Sequence, residues 1–352
     1  MVNTDLVAAA LPLRFAWLAA LVVVVLVPVV DSRAAAADTV WYRTGGSESR
    51  EARRGGKIVQ YDNGGLRVET LAGRDVTIPA ERVVRIEYDK TKAQQSAEEA
   101  FAQGDFGDAY RYYRVVLRDR DERRDWVRSR VMADAIRCRI ATGDYDDAGD
   151  LFARLAERGA DLVYFEQIPL AWTAAATVKE RIAEKWLNRS EAATVQLLAA
   201  SHLTRSSQRD RALALLRDLA AHENRDLARL ASARLWLTQL PTATESDLVR
   251  WKATVEKLPE RLRVGPYYVL GRGYALKKQY EQAALTLMRV PVQFPLHRDL
   301  GAESLLIVGS ALAELGRADE AERVLREVVE DHADSLAAQE ATQRLGQLRG
   351  TP

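Results

Sequence analysis

The chain has 352 residues, 47% of them hydrophobic, which supplies a core for more than one domain. Fifty-one basic residues face 50 acidic ones, and a net charge of +1 gives no whole-molecule attraction to nucleic acid or acidic lipid. The single cysteine, Cys138, excludes an internal disulfide and a cysteine-based zinc site.

Residues 1–37 read as a targeting segment. Arg14 precedes the apolar run from Phe15 to Val30, and Ala34 to Ala37 supply the small residues of a cleavage site. The run is shorter than the roughly 20 residues of a membrane-spanning helix. Its expected fate is removal near Ala36 or Ala37, with a mature chain starting near Asp38. If the segment is uncleaved, it is the chain's one expected contact with a membrane. No cysteine adjoins it, so a lipoprotein anchor is excluded. The expected location is the periplasm or cell envelope.

Residues 38–89 change to a β pattern. Strands are expected at Thr39–Tyr42, Lys57–Tyr61, Leu66–Thr70, Asp75–Ile78 and Val83–Tyr88. A polar, arginine-rich loop over 44–56 separates the first two. Asp62-Asn63-Gly64-Gly65 is a hairpin turn, because Asn and Gly tolerate positive φ. Five short strands suggest a small five-stranded, SH3-like or strongly bent β unit that serves as a packing module or cap. Arg43, Arg50, Arg53, Arg54 and Lys57 make the loop basic, which reads as a solvated charge run.

From residue 90 onward one pattern recurs: a small residue, a large apolar one three later, then an alanine, then a large apolar residue four after it. The units are Ala97, Ala100, Ala109 and Tyr113, followed by Ile136, Ala148 and Phe152, where Arg139 takes an apolar slot. Next come Ala200, Leu203, Ala212 and Leu216, then Gly271, Tyr274, Ala283 and Leu287, and finally Gly309, Leu312, Ala321 and Leu325. Turns fall at Gly104, Gly143 and Gly316, and Gln339–Leu348 reads as a closing helix. This pattern resembles the tetratricopeptide repeat family over most of residues 93–345. The resemblance implies a mainly α fold, an α-solenoid of helical hairpins over residues 90–352, with about seven pairs. Small residues let the two helices of a pair approach, and the large ones fill the gap. Gly271 and Gly309 are 38 apart instead of the family's usual 34. Residues 160–190, with Trp172 and Trp186, follow no clear repeat.

No catalytic constellation is legible. The four histidines form no metal-ligand spacing, and Gly271-Arg272-Gly273 lacks the third glycine of a dinucleotide fingerprint. Asp144 to Gly149 resembles a calcium loop but has Ala148 and Leu155 where oxygen ligands are needed, so its aspartates read as turn and cap residues. The chain is therefore expected to be no enzyme and to hold no metal or cofactor. The resemblance implies that first helices line a concave face, placing Arg130, Arg137, Ser201, Arg234, Tyr268, Arg272 and Ser310 inward. Arg137, Arg234 and Arg272 then sit at equivalent positions, where arginine forks can clamp carboxylates of a peptide or an acidic glycan. The expected role is a protein- or peptide-binding scaffold, with homo-oligomer formation through a terminal repeat as a further expectation. The alternative is a polysaccharide- or cell-wall-binding accessory with Trp172, Trp186, Trp236 and Trp251 as stacking platforms. That reading needs at least two of these tryptophans exposed on one surface.

Overall fold

In the computed structural model residues 38–45 and 50–350 are described; the expected targeting segment, residues 1–37, lies outside them. Five antiparallel strands come first: β1 (Asp38–Arg43), β2 (Glu51–Asp62), β3 (Gly65–Glu69), β4 (Asp75–Ile78) and β5 (Val83–Glu87). They form one sheet in the order β4-β3-β2-β1-β5. The Asn63-Gly64 turn forms as expected, with Asp62 Oδ1 accepting the Gly64 amide at 2.9 Å.

The expected loop over 44–56 is corrected. Strand β2 begins at Glu51, and its first half pairs with β1 from Arg43↔Glu51 to Asp38↔Gly56. Its second half pairs with β3 from Lys57↔Glu69 to Asp62↔Gly65. Glu51, Arg53 and Gly55 are exposed while Ala52 and Arg54 are half-buried, so the two arginines follow a strand's alternation, Arg53 on the face open to water and Arg54 on the other. Gly56 sits where β2 changes partner, and a side chain there would press on Val68 Cγ1 at 2.7 Å.

The rest is helical, and one apolar core runs from the sheet into the helices. Six helix pairs follow: α1 (Lys92–Gln103) with α2 (Phe106–Arg118), α3 (Asp125–Ala141) with α4 (Tyr145–Glu157), α6 (Ala193–Leu203) with α7 (Arg209–Leu219), α8 (Arg225–Gln239) with α9 (Glu245–Glu256), α10 (Val264–Leu276) with α11 (Tyr280–Leu287), and α13 (Arg298–Glu314) with α14 (Ala318–Asp331). Helices α5 (Glu180–Arg189), α12 (Arg289–Gln293) and α15 (Leu336–Gly350) stand between or after them. Six pairs among the described residues replace the expected seven, because 158–179 hold only a short 3-10 turn at Phe165–Gln167. Among the described residues no helix is long and apolar enough to cross a membrane.

Packing follows the small-residue rule. Ala97, Ala109, Ala148, Ala212, Ala283 and Ala321 are all buried. A methyl group on Gly309 would meet Leu325 Cγ at 2.6 Å, and one on Gly271 would overlap Leu287. Four hairpins also close in the same way, with a left-handed residue after the first helix: Gly104 (φ 85°), Gly143 (73°), Lys278 (59°) and Gly316 (73°). The next amide then donates to the carbonyl five residues back, at 2.9 Å in Asp105→Ala100, Asp144→Arg139, Gln279→Tyr274 and Arg317→Leu312. This is the Schellman closure, which satisfies carbonyls the helix end would leave orphaned.

The sheet is fastened to the helices by specific polar bonds. The Trp126 indole N–H of α3 donates to Ile58 O at 3.1 Å. Asn63 donates through Nδ2 to Asp161 at 2.9 Å, accepts the Leu162 amide at 2.9 Å, and its own amide reaches Gly159 O at 2.7 Å. Tyr88 meets Trp126 edge-on at 4.8 Å.

Candidate partner-binding groove

A concavity of roughly 1000 Å³ draws its walls from parts of the chain far apart in sequence. The α1–α2 turn contributes Phe101 and Phe106, α3 contributes Arg137, and the segments 259–261 and 293–297 supply the opposite side. Phe101 and Phe106 pack edge to face at 5.2 Å, each half-buried, so each shows apolar surface to the groove. Arg137 lies over the Phe101 ring at 4.4 Å and pairs with Asp134 at 3.3 Å. Its guanidinium is thus held at the wall by a cation–π contact and an ion pair. Across from it Phe294, Pro295 and Leu296 form an apolar ledge, with the proline ending helix α12 just before it. Arg261 pairs with Glu166 at 3.5 Å, and Glu260 is exposed beside them. Surrounding protein pushes the His297 imidazole down to about 4, so this lining residue is neutral at physiological pH.

Apolar aromatic walls with a few fixed charges are what a protein or peptide segment requires of a groove. The sequence reading found Arg137 but missed the phenylalanines. Phe106 follows the Gly104-Asp105 turn and Phe294 precedes a proline, and both positions are legible as element ends; neither signals exposure.

The other expected residues fall elsewhere. Arg130 lines a cleft of roughly 570 Å³ against the sheet, its guanidinium 5.7 Å from the Tyr88 ring. Ser201 is buried, its hydroxyl donating to Leu198 O at 2.7 Å and accepting the Ala171 amide at 3.1 Å. Arg234 is only 3% exposed, and its Nη2 donates to Ser201 O at 2.7 Å and Thr204 Oγ1 at 3.0 Å. Tyr268 is buried, and its hydroxyl donates a hydrogen bond to Glu303 Oε2. Arg272 lies over the Tyr268 ring at 5.4 Å, and Ser310 donates to Leu306 O at 2.8 Å. A clamp of Arg137, Arg234 and Arg272 does not assemble: Arg137 lines the groove, while Arg234 and Arg272 share a separate cavity.

The reason is the irregular stretch. Residues 169–178 lie along α6 and α8, where the resemblance implied open surface. Besides the Ala171–Ser201 bond, His202 Nε2 donates to Pro169 O at 2.9 Å and its Nδ1 accepts the Val178 amide at 3.2 Å. Trp172 lies under the Arg234 guanidinium at 5.3 Å.

The tryptophans proposed as stacking platforms are all under 8% exposed: Trp172 6%, Trp186 0%, Trp236 7% and Trp251 5%. Trp236 and Trp251 stack on each other at 5.0 Å inside the core. The polysaccharide reading therefore lacks the exposed pair it requires. Asp144 accepts the Asp147 amide at 3.2 Å and caps α4, as the calcium-like stretch was read. Cys138 is buried, and burial pushes its thiol up to about 12, far from nucleophilic use.

Residues 303–335, most of α13 and α14, match the tetratricopeptide repeat family. The match falls on the unit containing Gly309, Leu312, Ala321 and Leu325, and the chain carries a repeat of that type there. A search of curated proteins finds no match.

Proposed function

We propose that this chain is a non-catalytic scaffold that binds a protein or peptide partner in the groove between the α1–α2 turn and the 293–297 segment. The observation that carries the reading is the groove itself: half-buried Phe101, Phe106 and Phe294 facing one space, with Arg137 fixed at its wall. The repeat at 303–335 supports it, because helical repeats of this type commonly present surfaces to other proteins. The partner segment brings apolar side chains for the ledge and an acidic group for the Arg137 side. The apolar run of residues 15–30 supports export, so the working place proposed is the periplasm or cell envelope. The strand order and the partner change within β2 support a barrel-like sheet packed on the α3–α4 hairpin.

A photo-crosslinking residue at exposed Gln293, which lines the groove, tests this against one at exposed Val249, which does not. Crosslinking in cells yields a discrete adduct from position 293 and none from 249. Arg137→Gln weakens the adduct, while a retained cooperative thermal transition shows that the variant still folds. Equal adducts at both positions, or none at 293, would sink the scaffold reading.

A further inference from the structure

A second cavity, of roughly 410 Å³, lies between the 171–177 segment, the end of α6, α8 and α10. Arg205, Arg234 and Arg272 line it, and among the described residues that line it there is no carboxylate. Its remaining wall is apolar at Trp172 and Leu276. We propose that this cavity binds a small organic dianion, a phosphate monoester or a dicarboxylate, through Arg205, Arg234 and Arg272.

Arg234 carries the argument. Two of its donors, Nε and Nη1, are buried without a hydrogen-bond partner, although Nη2 is fully used. Leaving guanidinium N–H groups buried and unmet costs more than an ordinary lost hydrogen bond, and an oxyanion supplies the acceptors. Thr173 adds a further donor. Its buried Oγ1 accepts the Ala176 amide at 3.2 Å, a bond that does not use its own proton.

Charge fixes the class of ligand. Burial, with Arg205 nearby, pulls Arg234 down to about 9, which still leaves it cationic at neutral pH. Three cationic side chains therefore line one space, with Arg272 also donating to Tyr268 Oη at 3.4 Å. Glu303, an acid within electrostatic reach of Arg205 and Arg272, accepts a hydrogen bond from the Tyr268 hydroxyl and lines the adjoining cavity. A monoanion would leave the cluster short of acceptors and charge, whereas a dianion matches two guanidinium forks at once. The volume lies in the range of small-molecule sites and exceeds what a bare oxyanion fills, so the ligand carries an organic part against Trp172 and Leu276. This site is separate from the groove, and either reading stands if the other fails.

Calorimetric titration of the protein with phenyl phosphate and with succinate tests the proposal, with benzoate and sodium chloride at matched ionic strength as controls. One dianion is expected to bind at one site per chain, at least tenfold tighter than benzoate. Which one binds separates the phosphate source from the dicarboxylate. Exposed Arg205 and half-exposed Arg272 permit substitutions that keep the fold, and R205Q and R272Q are each expected to weaken binding about tenfold. The proposal is overturned if neither dianion outbinds benzoate, or if R205Q and R272Q both bind like the parent.

Discussion

Trp172 rests directly on the backbone of Gly265. A Cβ at position 265 would overlap the indole ring, so the tryptophan's place in the core depends on the missing side chain of a residue more than ninety positions away. Trp186 stands in the same relation to Gly149 of α4. Both tryptophans belong to the stretch that shows no repeat, and each is locked into a slot that a repeat helix provides.

Gly265→Ala should therefore destabilise the protein by about 1–3 kcal/mol, the usual cost of forcing a methyl into a packed core. Gly55→Ala is the control, because nothing lies within 4 Å of the added atom. Urea unfolding measures both. A Gly265 variant as benign as the Gly55 variant would mean that Trp172 is free to retreat.

Lys278 holds the left-handed turn position that glycine holds in the three other closures of the same kind. A side chain there pays a steric penalty of about 1–2 kcal/mol per residue. Lys278→Gly is expected to raise stability by about 1 kcal/mol once glycine's own entropy is counted. The neighbouring Lys277→Gly, at φ −88°, should lower it. Thermal melts of the two variants moving in the same direction would contradict this.

His202 gives a pH dependence. Burial pushes its imidazole from 6.5 down to about 3, in contact with Trp186 at 5.3 Å and with both ring nitrogens bonded to backbone. The unfolded chain therefore takes up the proton first. The stability due to the neutral ring is complete above pH 6.5 and is lost as the pH falls toward 3, at up to about 1.4 kcal/mol per pH unit. Urea midpoints between pH 7 and 4.5 should fall more steeply in the parent than in His202→Gln, whatever that variant costs at pH 7. Parallel slopes would remove His202 from the account.

The hairpins were legible because their signal is local. Ala283, Gly271 and Leu287 lie within one turn or one hairpin of each other, and their spacing alone implies the contact. The start of β2 was not legible, since Glu51 to Arg54 has a loop's composition and becomes a strand only because β1 needs a partner. The inward set was only partly legible for a related reason. Helical phase places Ser201 and Arg234 on the inner side of their helices, but phase says nothing about what lies there. Residues 169–178 lie there, and their lack of periodicity hid them. Phe294 and Phe106 line one groove because segments far apart in sequence meet there, a property no window of sequence contains.

The bonds from Asn63 to residues 159–162, and from Trp126 to Ile58, span the join between the sheet and the helical array. Stripping away the sheet would leave the Trp126 indole N–H without its acceptor and one oxygen of the buried Asp161 carboxylate without its donor, inside what is now shared core. The two parts should accordingly gain and lose amide-exchange protection together, and a fragment opening at residue 90 would inherit a damaged α3–α4 hairpin instead of an independent domain.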